Sequence, residues 1–361
     1  MNFLKRLIAL ILWYLQNRPD PHDPAPDSPA NPDAPVTPTP DPQPNPPAQL
    51  EHIWQGDNRY YKLVGGIEVP EGYLLTASNV YRKGHRSVIY LLTEKDGRIS
   101  AREIYTGSQE TIGQPVGALD RVYFPVEHGS HCLIYKDGRV GNAGRTRGRW
   151  SVCGLRSGGT TALMAYNNQY TGARLFKDKT ILARADNGDI VHTLGATAMA
   201  RSFTELDGRR WYAHNFGQVG VSDFDGRMIS CDANHIHAFA GNLYVGCGGA
   251  WGRDARPETA NGDILRLSPP DFQPRTIFRI DSAGIEHMHV ADGHLIISGI
   301  DPDQLWAMDE DENFRLIAQV KGETAKDGAR GYGAHSGTWN GRTIWARSDK
   351  VRPHAYFVDW R

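Results

Sequence analysis

The stretch Gly284–Gly322, GIEHMHVADGHLIISGIDPDQLWAMDEDENFRLIAQVKG, reads as four short strands. HMHV comes first, and HLIISG follows the Asp292-Gly293 turn. QLWAMD comes after Asp301-Pro302-Asp303, and FRLIAQV after the acidic turn Glu310-Asp311-Glu312-Asn313. Each run is of strand length, rich in Val, Ile, Leu or Trp, and closed by turn formers, as an up-and-down antiparallel sheet requires. One such sheet leaves its faces and an edge exposed, so it must stack on copies of itself.

The copies run the length of the chain. The second-strand element returns as GYLLTAS from Gly72, DRVYFPV from Asp120, GRRWYAH from Gly208, GNLYVGC from Gly241 and GRTIWAR from Gly341, with a degenerate GARLFKD from Gly172. The hairpin that follows it returns as VIYLLTEKDGRI from Val88, CLIYKDGRV from Cys132, ILARADNGDIV from Ile181 and VGVSDFDGRMI from Val219. Asp-Gly or Asn-Gly at a hairpin tip supplies the positive φ of a tight turn. The units lie roughly 33 to 52 residues apart, and about seven of them fill residues 49–361.

The last unit, GYGAHSG, GRTIWAR and HAYFVDW, ends one strand short, while HIWQG at His52–Gly56 precedes the first complete unit. HIWQG resembles EIYTG at Glu103–Gly107, a fourth strand elsewhere. The N-terminal strand is therefore expected to complete the last unit, which would remove exposed edges. On these residues the body resembles the seven-bladed β-propeller superfamily in the broad WD-repeat and YVTN-like sense, over about six-sevenths of the chain. The Gly-His and Trp-Asp signatures of strict WD repeats are mostly missing. Six or eight blades are the alternatives, since Thr160–Gly195 is hard to phase. The expected class is all-β.

Ahead of the body, Met1–Arg18 places Lys5 and Arg6 before the apolar run Leu7–Leu15. Nine helical residues extend roughly 14 Å against a hydrocarbon core of about 30 Å. That fits an export signal, or a membrane anchor through residues 3–15, better than a comfortable span. A terminal helix docking on a partner protein is the other reading. In Pro19–Pro47, 13 of 29 residues are proline. Residues 19–48 are thus expected to be a disordered, semi-rigid spacer of polyproline II character, reaching up to roughly 90 Å. Anchor, spacer and head predict a membrane-anchored or secreted, extracytoplasmic protein, acting as a monomer.

The whole chain carries 40 Lys and Arg against 41 Asp and Glu, a net charge of −1. A near-neutral body lacks the footprint that phosphate backbones demand, so nucleic acid is not an expected partner. Arg145, Arg147 and Arg149 beside Trp150 are a local basic exception, suited to a solvated edge or an acidic ligand. Cys132, Cys153, Cys231 and Cys247 form no C-x-x-C motif, which leaves zinc-knuckle chemistry unsupported. In an exported body the pairs Cys132–Cys153 and Cys231–Cys247 could form disulfides, with buried free thiols as the alternative.

The histidines keep a repeat position. Six residues before the Gly that opens the second strand stand His235, His287 and His335; four residues before it stand His237 and His289. Residues two apart share one face of a strand. Equivalent sites on innermost strands should ring a central channel, where His235, His287 and His335 could hold a divalent transition metal. Phasing the third unit on Gly172 adds Tyr166, and Ser202 is the counterpart in the fourth. Glu286, Asn234 and Asp232 are available as further ligands. The alternative role is structural: packing between blades, with hydrogen bonds to neighbouring main chain.

The loops joining second to third strands should open on one face. They carry Tyr81, Arg82, His85, His128, His214, Trp251, Arg253, Arg256 and Arg352, an aromatic and basic rim suited to a glycan or a protein surface. Two functions follow. The first is a module recognising a protein or glycan through one face. The second is a metal-assisted polysaccharide lyase or hydrolase with a His-lined funnel, in which Tyr166, His237 or His289 transfers the proton. The second resembles the propeller polysaccharide lyases in residue types and fold, without an aligned motif. No S-x-D-x-G-x-x-W box, G-x-S-x-G elbow or P-loop is present in the sequence.

Overall fold

The computed structural model describes residues 49–361 apart from 61, 80–85, 109–110, 119–120, 128–130, 146–150, 157–161, 168–179, 185–189, 194–198, 216–219, 232, 249–261, 283, 301, 321–333 and 350. The hydrophobic segment and linker expected over residues 1–48 lie outside the described residues. Among the described residues every regular element is a β-strand, and the strands form seven antiparallel sheets.

Sheet 6 is the stretch first read from sequence: Gly284–Ala291, His294–Ile300, Asp303–Met308 and Phe314–Val320, paired in chain order. Sheet 1 (Lys62–Val69, Gly72–Ser78, Arg86–Lys95, Arg98–Ser108) and sheet 5 (His235–Phe239, Asn242–Gly246, Gly262–Leu267, Pro274–Ile280) follow the same order. So do sheet 3, which begins with Ser151–Arg156, and sheet 4, which begins with Met199–Leu206. Sheet 2 divides its first position between Thr111–Ile112 and Val116–Ala118, both paired with Arg121–Glu127. Sheet 7 contains Ala334–Trp339, Arg342–Ser348 and Pro353–Asp359, and its fourth place is taken by Gln49–Gln55. That strand runs antiparallel to the last one, from Gln49 opposite Asp359 to Gln55 opposite His354.

First strands lie against first strands. Ser151–Arg156 contacts Met199–Leu206, which contacts His235–Phe239; Gly284–Ala291 and Ala334–Trp339 follow, and the last of these contacts Lys62–Val69. The core fills the spaces between sheets. Tyr73, Leu75, Trp339 and Phe357 pack sheets 7 and 1 together; Tyr244, Met288, Leu295 and Trp306 pack 5 and 6; Ile296, Leu305, Trp345 and Trp360 pack 6 and 7. Burying each such side chain contributes on the order of 1.5–3 kcal/mol. No single sheet hides both faces without its neighbours, which is why the repeat must be stacked.

Among the described residues the first strand of sheet 5 has one edge without a strand partner, and sheet 4 caps it with hydroxyls. Ser202 Oγ accepts from Ile236 N at 2.6 Å, and Thr204 Oγ1 accepts from Ala238 N at 3.0 Å. Buried main-chain N–H groups need such partners.

One sequence expectation is corrected here. Tyr166 does not lie on an innermost strand: it belongs to the second strand of sheet 3, Ala162–Asn167, opposite Ser151 on one side and Ile181 on the other. That second strand begins at Ala162, ahead of Gly172 in the sequence, so Gly172 does not open it. Its side chain lies outside the described residues. Of the two readings left open for the cysteines, Cys132, Cys231 and Cys247 follow the reduced thiol and not the disulfide. Burial pushes the Cys132 thiol up to about 12, which keeps it protonated and unreactive.

Candidate functional site on the innermost strands

Register brings the histidines together. His235 pairs with Gly246, His287 with Ser298 and His335 with Ala346, in each case the fifth residue after the glycine of the turn. Ser202 pairs with Ala213 in the same way. A one-residue register shift precedes the position in sheets 1, 3, 4 and 6, before Gly65, Cys153, Ser202 and His287. Such bulges re-aim the side chain that follows. Seen by register, sheets 1 and 3–7 carry Gly65, Cys153, Ser202, His235, His287 and His335 at one level.

His287 is the hub. Its ring centroid lies 5.0 Å from that of His235, 4.1 Å from that of His335 and 5.9 Å from that of His289. The nitrogens are tied unevenly. His237 Nδ1 donates to the Ala238 carbonyl at 2.8 Å, and His289 Nδ1 meets Ser336 Oγ at 3.0 Å, across sheets 6 and 7. His335 hydrogen-bonds to the Gly66 main chain. Among the described residues, the buried ring nitrogens His287 Nδ1 and His289 Nε2 have no hydrogen-bond partner. Buried polar atoms of that kind are uncommon and mark strain or a missing ligand.

Electrostatics follow from burial. Desolvation, with a smaller push from the surrounding imidazoles, holds His287 well below the usual histidine value. Burial takes His289 down to about 3, with His335 and His237 adding to the shift. Burial also takes His335 down to about 4, against the opposing hydrogen bond to Gly66, and lowers His237. His237, His287, His289 and His335 are therefore neutral at pH 7, and each of these rings presents a lone pair. Neutral imidazoles accept hydrogen bonds or coordinate metal; they do not attract carboxylates. Among the described residues, no group of three or more His, Cys, Asp or Glu side chains stands ready to hold a metal ion.

The strand ends place the cluster. His235, His287 and His335 each sit opposite one of the last three residues of a second strand, toward the end where the second-to-third loops leave. Arg347 and Asp303, both buried, form an ion pair between sheets 7 and 6 at that end.

Of the rim residues expected on the loops, Tyr81, Arg82, His85, His128, Trp251, Arg253 and Arg256 lie outside the described residues. His214 is corrected: it is 1% exposed, on the second strand of sheet 4, with Nε2 3.0 Å from Ser222 Oγ. It belongs to the interior because Arg209–Asn215 extends past it before the chain leaves the sheet. Arg352 is half-buried on its loop, where its N–H donates to Asp349 Oδ1 at 2.8 Å.

No family model matches the chain, and no curated protein matches it in sequence. Solved structures do. A streptogramin B lyase structure superposes with a TM-score of 0.57 at 12% identity, covering 86% of this chain and 97% of that one. A chain of a mitotic checkpoint complex gives 0.54 at 9%, covering 94% and 100%. Raptor from Chaetomium thermophilum gives 0.53 at 13%, covering 86% of this chain and 29% of that one. At such identities the likeness concerns the fold alone: this is an all-β protein of repeated, mostly four-stranded antiparallel sheets that resembles β-propellers.

Proposed function

We propose that the chain is a seven-bladed β-propeller latched by its N-terminal strand and carried outside the cytoplasm on a proline-rich stalk behind an anchor or export signal. It recognises a protein or glycan partner through the end of the ring where second strands hand over to third strands. Seven sheets, neighbouring first strands and the Gln49–Gln55 pairing support the architecture. The composition of residues 1–47 supports the tether.

The observation that carries the recognition reading is the histidine cluster around His287 at that end. A collection of neutral lone pairs suits a donor-rich group, such as sugar hydroxyls or the ammonium or guanidinium of a partner side chain. An acidic sugar would instead need the loop arginines. The metal-assisted lyase or hydrolase is the second reading, favoured by the unpartnered nitrogens of His287 and His289. With a proton affinity as low as that of His289, the cluster fits ligation better than general-base catalysis, which works best near the operating pH.

The test places a photo-crosslinking residue at Val351, 45% exposed on a second-to-third loop, or at Asp137, on a hairpin tip at the opposite end. In cells making the full chain, adducts are expected from Val351 and not from Asp137. Adducts from Asp137 alone would overturn the reading. Elemental analysis of the purified full chain beside a His235→Ala/His287→Ala/His335→Ala variant separates the second reading: stoichiometric metal lost in the variant would favour the enzyme.

A further inference from the structure

A second group of histidines lies on the seam between the two ends of the chain, 302 residues apart in sequence. His52 stands on Gln49–Gln55, and His354 is the second residue of the neighbouring strand, Pro353–Asp359. The register shifts between His52 and Trp54, so Ile53 is an extra residue in the ladder. The bulge lets both Ile53 and Trp54 pack on the cluster of Tyr60, Tyr90 and Phe357. His52 is left on the other face, beside His354 and Tyr356, whose ring centroids are 5.4 and 5.1 Å from its own.

The protons on this seam are ordered by a carboxylate. Asp349 Oδ1 accepts from the N–H groups of Val351 and Arg352 at 2.9 and 2.8 Å, which fixes the loop. Its Oδ2 lies 2.8 Å from His354 Nε2. Two main-chain N–H groups and one imidazole nitrogen therefore converge on this one carboxylate. An ionised carboxylate accepts, so Nε2 of His354 carries the proton and Nδ1 presents a lone pair. That Nδ1 is 3.2 Å from His52 Nε2, a hydrogen bond in which His52 donates; with the His52 proton on its own Nδ1 instead, both facing nitrogens present lone pairs.

We propose that His52 Nε2 and His354 Nδ1 chelate one divalent transition-metal ion of the zinc class, which staples the N-terminal strand to the C-terminal strand. Two histidine nitrogens about 2.0–2.1 Å from a tetrahedral ion stand about 3.3 Å apart, close to the separation already present. Carboxylate–histidine–metal is a recurrent chain of this kind, the carboxylate setting ring orientation and raising ligand basicity. Of the nearby cations, Arg347 is already neutralised by Asp303. His52 is exposed, which gives an ion an entry path and leaves its remaining positions to water or to a ligand from outside. Metal held across the seam binds only the paired state and so stabilises it by mass action.

The experiment is thermal unfolding of the full chain, prepared without a polyhistidine tag, against ZnCl2 and against MgCl2. We expect a saturable rise in Tm with Zn2+ at micromolar concentrations and none with Mg2+, which prefers oxygen ligands. The rise should vanish in His52→Asn and in His354→Asn, and should persist in His289→Gln. Asp349→Asn should weaken the apparent affinity about tenfold or more. His52 is exposed, so its substitution keeps the test interpretable where the His354 variant fails to fold. A Co2+ absorption titration of wild type and His52→Asn reads the same ligands without unfolding. The proposal is overturned if the rise is absent at about 1 mM Zn2+, or if it survives His52→Asn but is lost in His289→Gln, which would place the ion at the inner-strand cluster.

Discussion

The two ends of the strands are built on different principles. At one end the chain reverses through two-residue turns: Asp96-Gly97, Asp137-Gly138, Asp207-Gly208, Ala240-Gly241, Asp292-Gly293 and Asn340-Gly341 all have positive φ at both positions. A Cβ added to any of those glycines would meet nothing within 4 Å, so the residue is there for its backbone angle and not for room. At the other end a Cβ on Gly246 would fall 2.5 Å from Ile285, and here the glycine makes room for the next sheet. This second end also holds the Arg347–Asp303 ion pair and the histidines. Cheap, local, solvated turns shape one end; buried polar groups that depend on neighbours shape the other. Stability should be correspondingly lopsided.

The largest effect that would expose this asymmetry is Arg347→Met. It leaves Asp303 buried without its counter-charge and should cost about 3–5 kcal/mol in urea unfolding. A cost under about 1 kcal/mol would mean that the pair is solvated and the contrast false.

Acid should act on the same end. His335 and His289 bind protons more weakly when folded, near 4 and 3, than in an unfolded chain near 6.5. The unfolded state therefore takes up more protons between those limits. Stability is fully present above about pH 6.5 and is lost as pH falls toward 4 and then 3. His335 alone corresponds to a loss on the order of 3 kcal/mol by pH 4, and urea midpoints from pH 7 to 4 measure it. His289→Gln/His335→Gln should flatten the profile; an unchanged slope would mean other groups carry it.

The turn end should respond less. Gly138→Ala at φ +75° is expected to cost about 1 kcal/mol and leave the acid profile unmoved. Smallest of all, Glu51→Ala removes a partner of Arg342 on the exposed seam and should shift stability by less than about 0.5 kcal/mol. A larger loss would show that the N-terminal strand is held by charge and not by Trp54 and its neighbours.

Repeat arithmetic made part of the site readable before any coordinates. The offset from the turn glycine put His235, His287 and His335 on one level, because a side chain's place in a paired strand depends only on its distance from the turn. Where the turn glycine was mistaken, at Gly172, the same arithmetic carried Tyr166 onto the wrong strand. His214 was placed on a rim from its neighbourhood of polar residues, whereas its strand runs on and buries it. The missing fourth strand of the last unit led to the expectation that His52–Gly56 would lie beside HAYFVDW, but nothing local signalled that the side chains of His52, Asp349 and His354 come into contact.

Alternating apolar runs and Asp-Gly turns thus determined, by themselves, that the chain makes short antiparallel strands, and where along each strand the histidines fall, because both are set by contacts a few residues apart. Only the tertiary structure decided which ring nitrogens are left without partners among the described residues, and how the rings of His52 and His354 approach one another. Those outcomes depend on how sheets stack and how side chains distant in sequence pack, and such contacts leave no mark in local pattern.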